Sequence, residues 1–200
     1  MLIGVDLDNT IVCYDTLFHR LAGERISLPP EIAVSKQAVR DYLRRQDQES
    51  LWTELQGVAY GARMNEATPF PGVLEFFARC RRQAVDVCVI SHRTRLPFLG
   101  EAVSLHDAAR HWLRQHEISA AADGDREPNP VFLETTREEK MRRIGQAGCD
   151  RFIDDLPELL RDAEFPPRVQ RILFDPGRQN ANDAHYHRAE SWNEIAELLL

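Results

Sequence analysis

The hydrophobic pattern opens with a short apolar run, Leu2, Ile3 and Val5, that stops at Asp6-Leu7-Asp8-Asn9-Thr10. Its length predicts a buried strand, and it is too short to be a signal peptide or a membrane span. Residues 11–68 then carry helical periodicity and no convincing strand. Leu17, Phe18 and Leu21 predict a helix over residues 14–22. Pro29-Pro30 is expected to open a second helix through Ile32, Val39, Tyr42 and Leu43, because proline suits a first helical turn. Leu51, Trp52, Leu55 and Val58 predict a third. The polar stretch Asn65-Glu66-Ala67-Thr68 and the turn Pro69-Phe70-Pro71-Gly72 end the segment.

From Gly72 the rhythm becomes an alternation. Residues 73–83 predict a helix with Leu74, Phe76 and Phe77 facing inward. Residues 85–90 are almost unbroken apolar and β-branched, the pattern of a strand covered on both faces in a parallel sheet. That run ends at Ser91-His92-Arg93-Thr94. A helix over residues 105–116 follows, with Ala108, Ala109, Trp112 and Leu113 as its core face, then loop signals at Asp123-Gly124-Asp125 and Pro128-Asn129-Pro130 and a short strand at Val131-Phe132-Leu133. Thr136 and Glu139 have capping-box spacing and predict a helix over 136–146. Arg151-Phe152-Ile153 reads as a strand stopping at Asp154-Asp155. A helix over 157–163, a strand over 169–174, a loop at Asp175-Pro176-Gly177 and a terminal helix behind a second capping box, Ser191 to Glu194, complete the chain. The alternation predicts an α/β class: a Rossmann-like parallel sheet with helices on both faces, and a small α-helical insertion after the first strand. Residues 1–12 and 69–200 would form the core, and residues 13–68 the insertion.

Composition narrows the function classes. The net charge of −7, with no broad basic stripe, argues against a nucleic-acid binder, yet a small phosphorylated substrate needs only a local positive site. The four cysteines form no C-x-x-C pair and read as buried reduced thiols. The histidines lack metal-binding spacing. With no secretory h-region and no apolar run of membrane length, a cytoplasmic protein without membrane association is expected.

A parallel sheet collects the carboxyl ends of its strands along one edge, the edge where such sheets bind ligands. Asp6, Asp8, Ser91, Asp154 and Asp155 stand at predicted strand ends, and Lys140 just inside a helix. Carboxylates forced together repel, and a hard oxygen-seeking ion such as Mg²⁺ resolves the conflict.

These residues carry a resemblance. Asp6-Leu7-Asp8-Asn9-Thr10 is similar to the first motif, D-x-D-x-T, of the haloacid-dehalogenase-like hydrolases, most of which are Mg²⁺-dependent phosphatases. Val87-Cys88-Val89-Ile90-Ser91 resembles the second motif, Lys140 the third and Phe152-Ile153-Asp154-Asp155 the fourth, in family order across residues 4–155. The resemblance implies Asp6 as a nucleophile forming an aspartyl-phosphate, and Asp8 as the acid for the leaving alcohol and then the base for water. Ser91 would hold a phosphoryl oxygen and Lys140 would neutralise charge, with Arg137 or Arg142 as substitutes for the lysine. Asp6, Asp154, Asp155 and Asp8, the last through its backbone carbonyl, would hold Mg²⁺. His92 is a further phosphate-binding candidate, and Arg93 beside it is open between substrate contact and loop support.

The family's insertion at this point in the chain is a cap over the active site, so residues 13–68 would be that cap. Its candidate contacts are Phe18, His19, Trp52 and Arg63, of which Phe18 and Trp52 also read as packing residues. The expected function is hydrolysis of a small phosphomonoester. Halide leaves unprotonated and needs no acid at position 8, which sets a phosphatase above a dehalogenase. A phosphotransferase or phosphomutase uses the same residues. A receiver-like switch is disfavoured by the late acidic pair and the insertion, and a catalytically idle partner-binding protein by the intact acid set.

Overall fold

The computed structural model describes residues 1–119 and 129–200; the loop signals at 123–125 and at Pro128 lie outside the described residues. In chain order the elements are β1 (Leu2–Val5), β2 (Val12–Cys13), α1 (Asp15–Arg25), α2 (Lys36–Arg45), α3 (Glu49–Tyr60), β3 (Thr68–Pro69), α4 (Val73–Arg82) and β4 (Asp86–His92). Then come α5 (Leu105–Gln115), β5 (Val131–Glu134), α6 (Arg137–Ala147), β6 (Arg151–Asp154), α7 (Pro157–Leu160), β7 (Gln170–Phe174), β8 (His187–Ala189) and α8 (Trp192–Leu199). No helix among the described residues is long and apolar enough to cross a membrane.

The chain divides into two compact units. The first contains Met1–Val12, Pro69–Arg93 and Leu113–Leu200 and is built on a six-stranded parallel sheet in the order β5-β4-β1-β6-β7-β8. β1 lies between β4 and β6, with Val5 opposite both Val89 and Ile153. Alternation along the strands fills both faces. Cys88, Ile90, Phe152 and Leu173 pack with Ile144 of α6 and with Leu159 and Leu160 of α7. Phe174 of β7 meets Trp192 of α8, which also stacks on Phe76 of α4. Gly4 sits where no side chain fits, since a Cβ there would lie 2.6 Å from the Phe152 ring and 2.8 Å from Cys149 Sγ.

Three local readings change. Leu74 faces outward from α4, and Val73, Phe76, Phe77 and Cys80 make its buried face. The helix after Pro157 is a single turn. β8 has no counterpart in the hydrophobic pattern: it is a short edge strand with only Ala189 buried.

The second unit contains Cys13–Thr68 and Thr94–Trp112. α1, α2 and α3 enclose an aromatic cluster in which Phe18 stacks against Trp52 at 4.8 Å and Tyr14 meets Tyr60 at 5.0 Å between centroids. Lys36 Nζ stands 5.4–5.9 Å over the rings of Tyr14, Phe18 and Tyr60. α2 begins at Lys36, where Ser35 caps it by accepting from Ala38 N; the Pro29-Pro30 pair lies in the preceding loop. Residues 11–68 also hold two short strands, β2 and β3, which pair with each other. Thr94–Trp112, read from sequence as part of the core, packs with the helices instead. Trp112 Nε1 donates to Ala67 O at 2.9 Å, and Leu99 O approaches α3 so closely that a Cβ on Gly57 would sit 2.7 Å from it.

Candidate active site

The carboxyl edge of the sheet gathers the charged groups because three central strands end there together. Asp6 follows β1, its N–H donating to Ile153 O at 2.9 Å and so extending the β1–β6 ladder. Asp154 is the last residue of β6 and is fully buried, and Ser91, buried near the end of β4, is paired in register with Leu133. A tight turn follows Asp6. Ile11 N and Val12 N both donate to Leu7 O, Asn9 N donates to Val12 O, and Asn9 takes the left-handed conformation at φ 61°. Asparagine tolerates that region better than most residues do. Thr10, at the turn's end, donates to Asp155 Oδ1 at 3.4 Å, while its carbonyl accepts from Trp192 Nε1 at 3.1 Å.

Lys140 arrives from the opposite direction. Thr136 Oγ1 accepts from Glu139 N, and Glu139 Oε2 accepts from Thr136 N, so a complete capping box starts α6. That start puts Lys140 in the first turn, buried at 2% exposure, with Nζ 2.6 Å from Asp6 Oδ1 and 2.6 Å from Asp154 Oδ2. Arg137 turns to Glu158 O and Asp162, and Arg142 is exposed, so neither arginine stands in this cluster.

Burial pushes the Asp6 carboxyl up to about 6 against the pull of Lys140, with Asp154 and Asp8 adding to the rise. Burial also works against the lysine's charge, but the carboxylates of Asp154 and Asp6 outweigh it and hold the ammonium above its ordinary range. Shifts with these causes collect at functional sites. Asp6, Asp154 and Asp155 each offer an oxygen within 4.8 Å of the others, an all-oxygen donor set suited to a hard divalent cation. The Asp8 carboxylate is not in that set.

Asp8 pairs instead with Arg93, whose Nη2 donates to Asp8 Oδ1. His92, the residue singled out from the sequence, turns its exposed ring to Thr135 O at 3.1 Å. One residue's difference along the strand reverses the direction of the side chain. In the helical unit, Phe18 and Trp52 are buried in the aromatic cluster and Arg63 is held by Glu24 and Glu66. His19 is half-buried on α1.

No family model and no curated protein matches this chain. Solved structures do. YfnB from Bacillus subtilis, described as a HAD-hydrolase and solved with magnesium, matches with a TM-score of 0.58 at 14% identity, over 99% of this chain and 97% of that one. The fold is that of the haloacid-dehalogenase (HAD) hydrolases. A phosphoglycolate phosphatase predicted in Haemophilus somnus matches at 17% identity over 100% of this chain and 97% of that one, with a TM-score of 0.56. A dehalogenase matches at 14% identity over 99% and 96%, with a TM-score of 0.57. At such identities the likeness speaks for the HAD fold alone. Chemistry must be read from the residues at the sheet edge.

Proposed function

We propose that this protein is a Mg²⁺-dependent phosphomonoester hydrolase acting on a small phosphorylated metabolite through an aspartyl-phosphate. The observation that carries the reading is Asp6, a buried carboxylate bound by Lys140 and flanked by a second acid at Asp8. In the first step an Asp6 oxygen attacks phosphorus and the bond to the leaving alcohol breaks, with Asp8 giving that oxygen its proton. In the second, water attacks the same phosphorus, the bond to Asp6 breaks, and the water's proton goes to Asp8. Lys140 holds Asp6 in place and neutralises charge through both steps. Ser91 supplies a hydroxyl donor at the same edge.

The carboxylates of Asp6, Asp154 and Asp155 would hold the magnesium ion, with the Asp8 backbone carbonyl. When bound, it shields the attacking carboxylate from the phosphate dianion that would otherwise repel it. Asp8 favours a phosphatase over a dehalogenase, since a departing halide takes no proton. Residues 13–68, together with Thr94–Trp112, act in this reading as the cap that selects the leaving group, and the sheet unit as the catalytic core. The alcohol or sugar acceptor decides between hydrolysis and phosphotransfer.

The test is phosphate release from a panel of sugar phosphates, nucleotides and phosphorylated amino acids, with Mg²⁺ and then with EDTA. We expect metal-dependent release, one substrate preferred, and no turnover by Asp6→Asn although it folds. An Asp6→Asn protein as active as the wild type would remove the mechanism.

A further inference from the structure

β4 continues its pairing one step past His92, because Arg93 N donates to Glu134 O at 2.7 Å. The Arg93 backbone is therefore as fixed as the strand itself. Strand alternation sends His92 outward and puts Arg93 on the side of Ser91, where its side chain is 3% exposed. Burying a guanidinium is costly unless its charge is used. Lys140 already answers Asp6 and Asp154, and the ion pair of Arg93 is with Asp8.

The turn that carries Asp8 does not need this arginine for its shape. Its backbone is closed by the bonds from Asn9, Ile11 and Val12, and Trp192 pins Thr10. What the guanidinium adds is the direction of the Asp8 carboxylate, which keeps 20% exposure and so remains open to a partner. A group that must reach a leaving oxygen in one step and a water in the next loses rate steeply when misplaced by an ångström. Arginine's planar, pre-organised fork suits that task better than a flexible ammonium.

We propose that Arg93 is a positioning residue: it aims Asp8 at the leaving oxygen and then at the hydrolytic water. The inference rests on the hydrolase reading above. Its effect must pass through Asp8 and must depend on whether the leaving group needs a proton.

The experiment measures single-turnover phosphoryl transfer with Mg²⁺ from glycerol 3-phosphate, an alkyl ester, and from p-nitrophenyl phosphate, whose leaving group departs without a proton. Arg93→Met is expected to slow the alkyl ester about 100-fold, within the range of a lost acid, and the aryl ester less than about 5-fold. Arg93→Lys is expected to recover part of the alkyl rate. In an Asp8→Asn background, Arg93→Met is expected to cost less than about 2-fold more, since a residue acting through Asp8 has nothing left to act on. Equal slowing of both esters, an unchanged alkyl rate, or full additivity with Asp8→Asn would each overturn the proposal with an active wild type in hand. If Arg93→Met does not fold, Arg93→Lys carries the same comparison, and an equal effect on both esters overturns it. A wild type inert on both esters and on the wider panel overturns the hydrolase reading, and this inference with it.

Discussion

Two ionic clusters of similar size sit in very different places. At the sheet edge, Lys140 bridges Asp6 and Asp154 with its side chain 2% exposed and theirs 5% and 0%. In the helical unit, Arg63 bridges Glu24 and Glu66, which also meets Arg20, with side chains 29% to 48% exposed. Connectivity is alike; surroundings are not. Water and salt screen the second cluster, and double-mutant measurements put such exposed pairs at about 0.2–1 kcal/mol each. The first has given up its hydration, and its attraction barely repays that loss, so it is poor evidence of stabilisation and good evidence of chemistry.

The contrast predicts its largest effect at Lys140. Lys140→Met keeps the stem but strands two buried carboxylates, and breaking such a cluster costs about 3–5 kcal/mol. Urea unfolding at pH 7 without metal should show that loss, and phosphate release should fall with it. Lowering the pH should restore part of the stability, because Asp6, whose buried carboxyl is already pushed up to about 6, then accepts a proton in place of the ammonium. A variant as stable as the wild type at pH 7 would mean that the sheet-edge cluster is as well solvated as the one on the helices.

A smaller effect follows from Asp6. Its carboxyl in the folded, metal-free protein titrates at about 6, above the unfolded value of 3.8. The stability this group contributes is fully present below the unfolded value and is lost as pH rises through about 6, where the fold must accept the buried charge. A cation bound at Asp6, Asp154 and Asp155 competes with that proton. Mg²⁺ should therefore raise the melting temperature clearly at pH 7.5 and little at pH 5, with the change centred near 6. A Mg²⁺ effect that is the same at both pH values would detach the metal from Asp6.

The two regions also differ in how much of them was legible in the sequence. At the sheet edge an apolar run that ends in acid has few alternatives, and two such runs, ending at Asp6 and Asp154, come to one edge with the run that ends at Ser91 because parallel strands end together. The capping box of Thr136 and Glu139 sets where α6 begins, and that start places Lys140, and not Arg137 or Arg142, against the carboxylates. Arg93 was harder to read. Its partner lies 85 positions away, and its neighbour His92 is the more familiar chemical group.

The helical unit was less legible throughout. Pro29-Pro30 suggested a helix start where Ser35 supplies the cap, because proline's fixed φ fits a loop as readily as a first turn. Thr94–Trp112 showed only the periodicity of a helix and loops, while its membership depends on Gly57 and on the Trp112 bond to Ala67, which are contacts of tertiary structure. β8 was invisible for a similar reason: a three-residue edge strand with one buried side chain leaves no hydrophobic period to detect.

The smallest expected effect completes the comparison. Arg63 donates to Glu66 Oε1 at 2.7 Å and to Glu24, and these hydrogen bonds hold both carboxyls below the ordinary glutamate range. Lowered values of that sign contribute stability above the unfolded glutamate value and lose it as pH falls. Arg63→Ala removes both bonds yet leaves Glu24 and Glu66 in water and Glu66 paired with Arg20. The melting temperature at pH 7 should fall by no more than about 4 °C, and 0.5 M NaCl should narrow the gap between variant and wild type. A drop above about 8 °C that persists in salt would mean that Arg63 is clamped tightly enough to act like a buried charge. Exposure would then be a poor guide to which of the two clusters the fold depends on, and only the identity of the residues at the sheet edge, not their burial, would mark it as the place of chemistry.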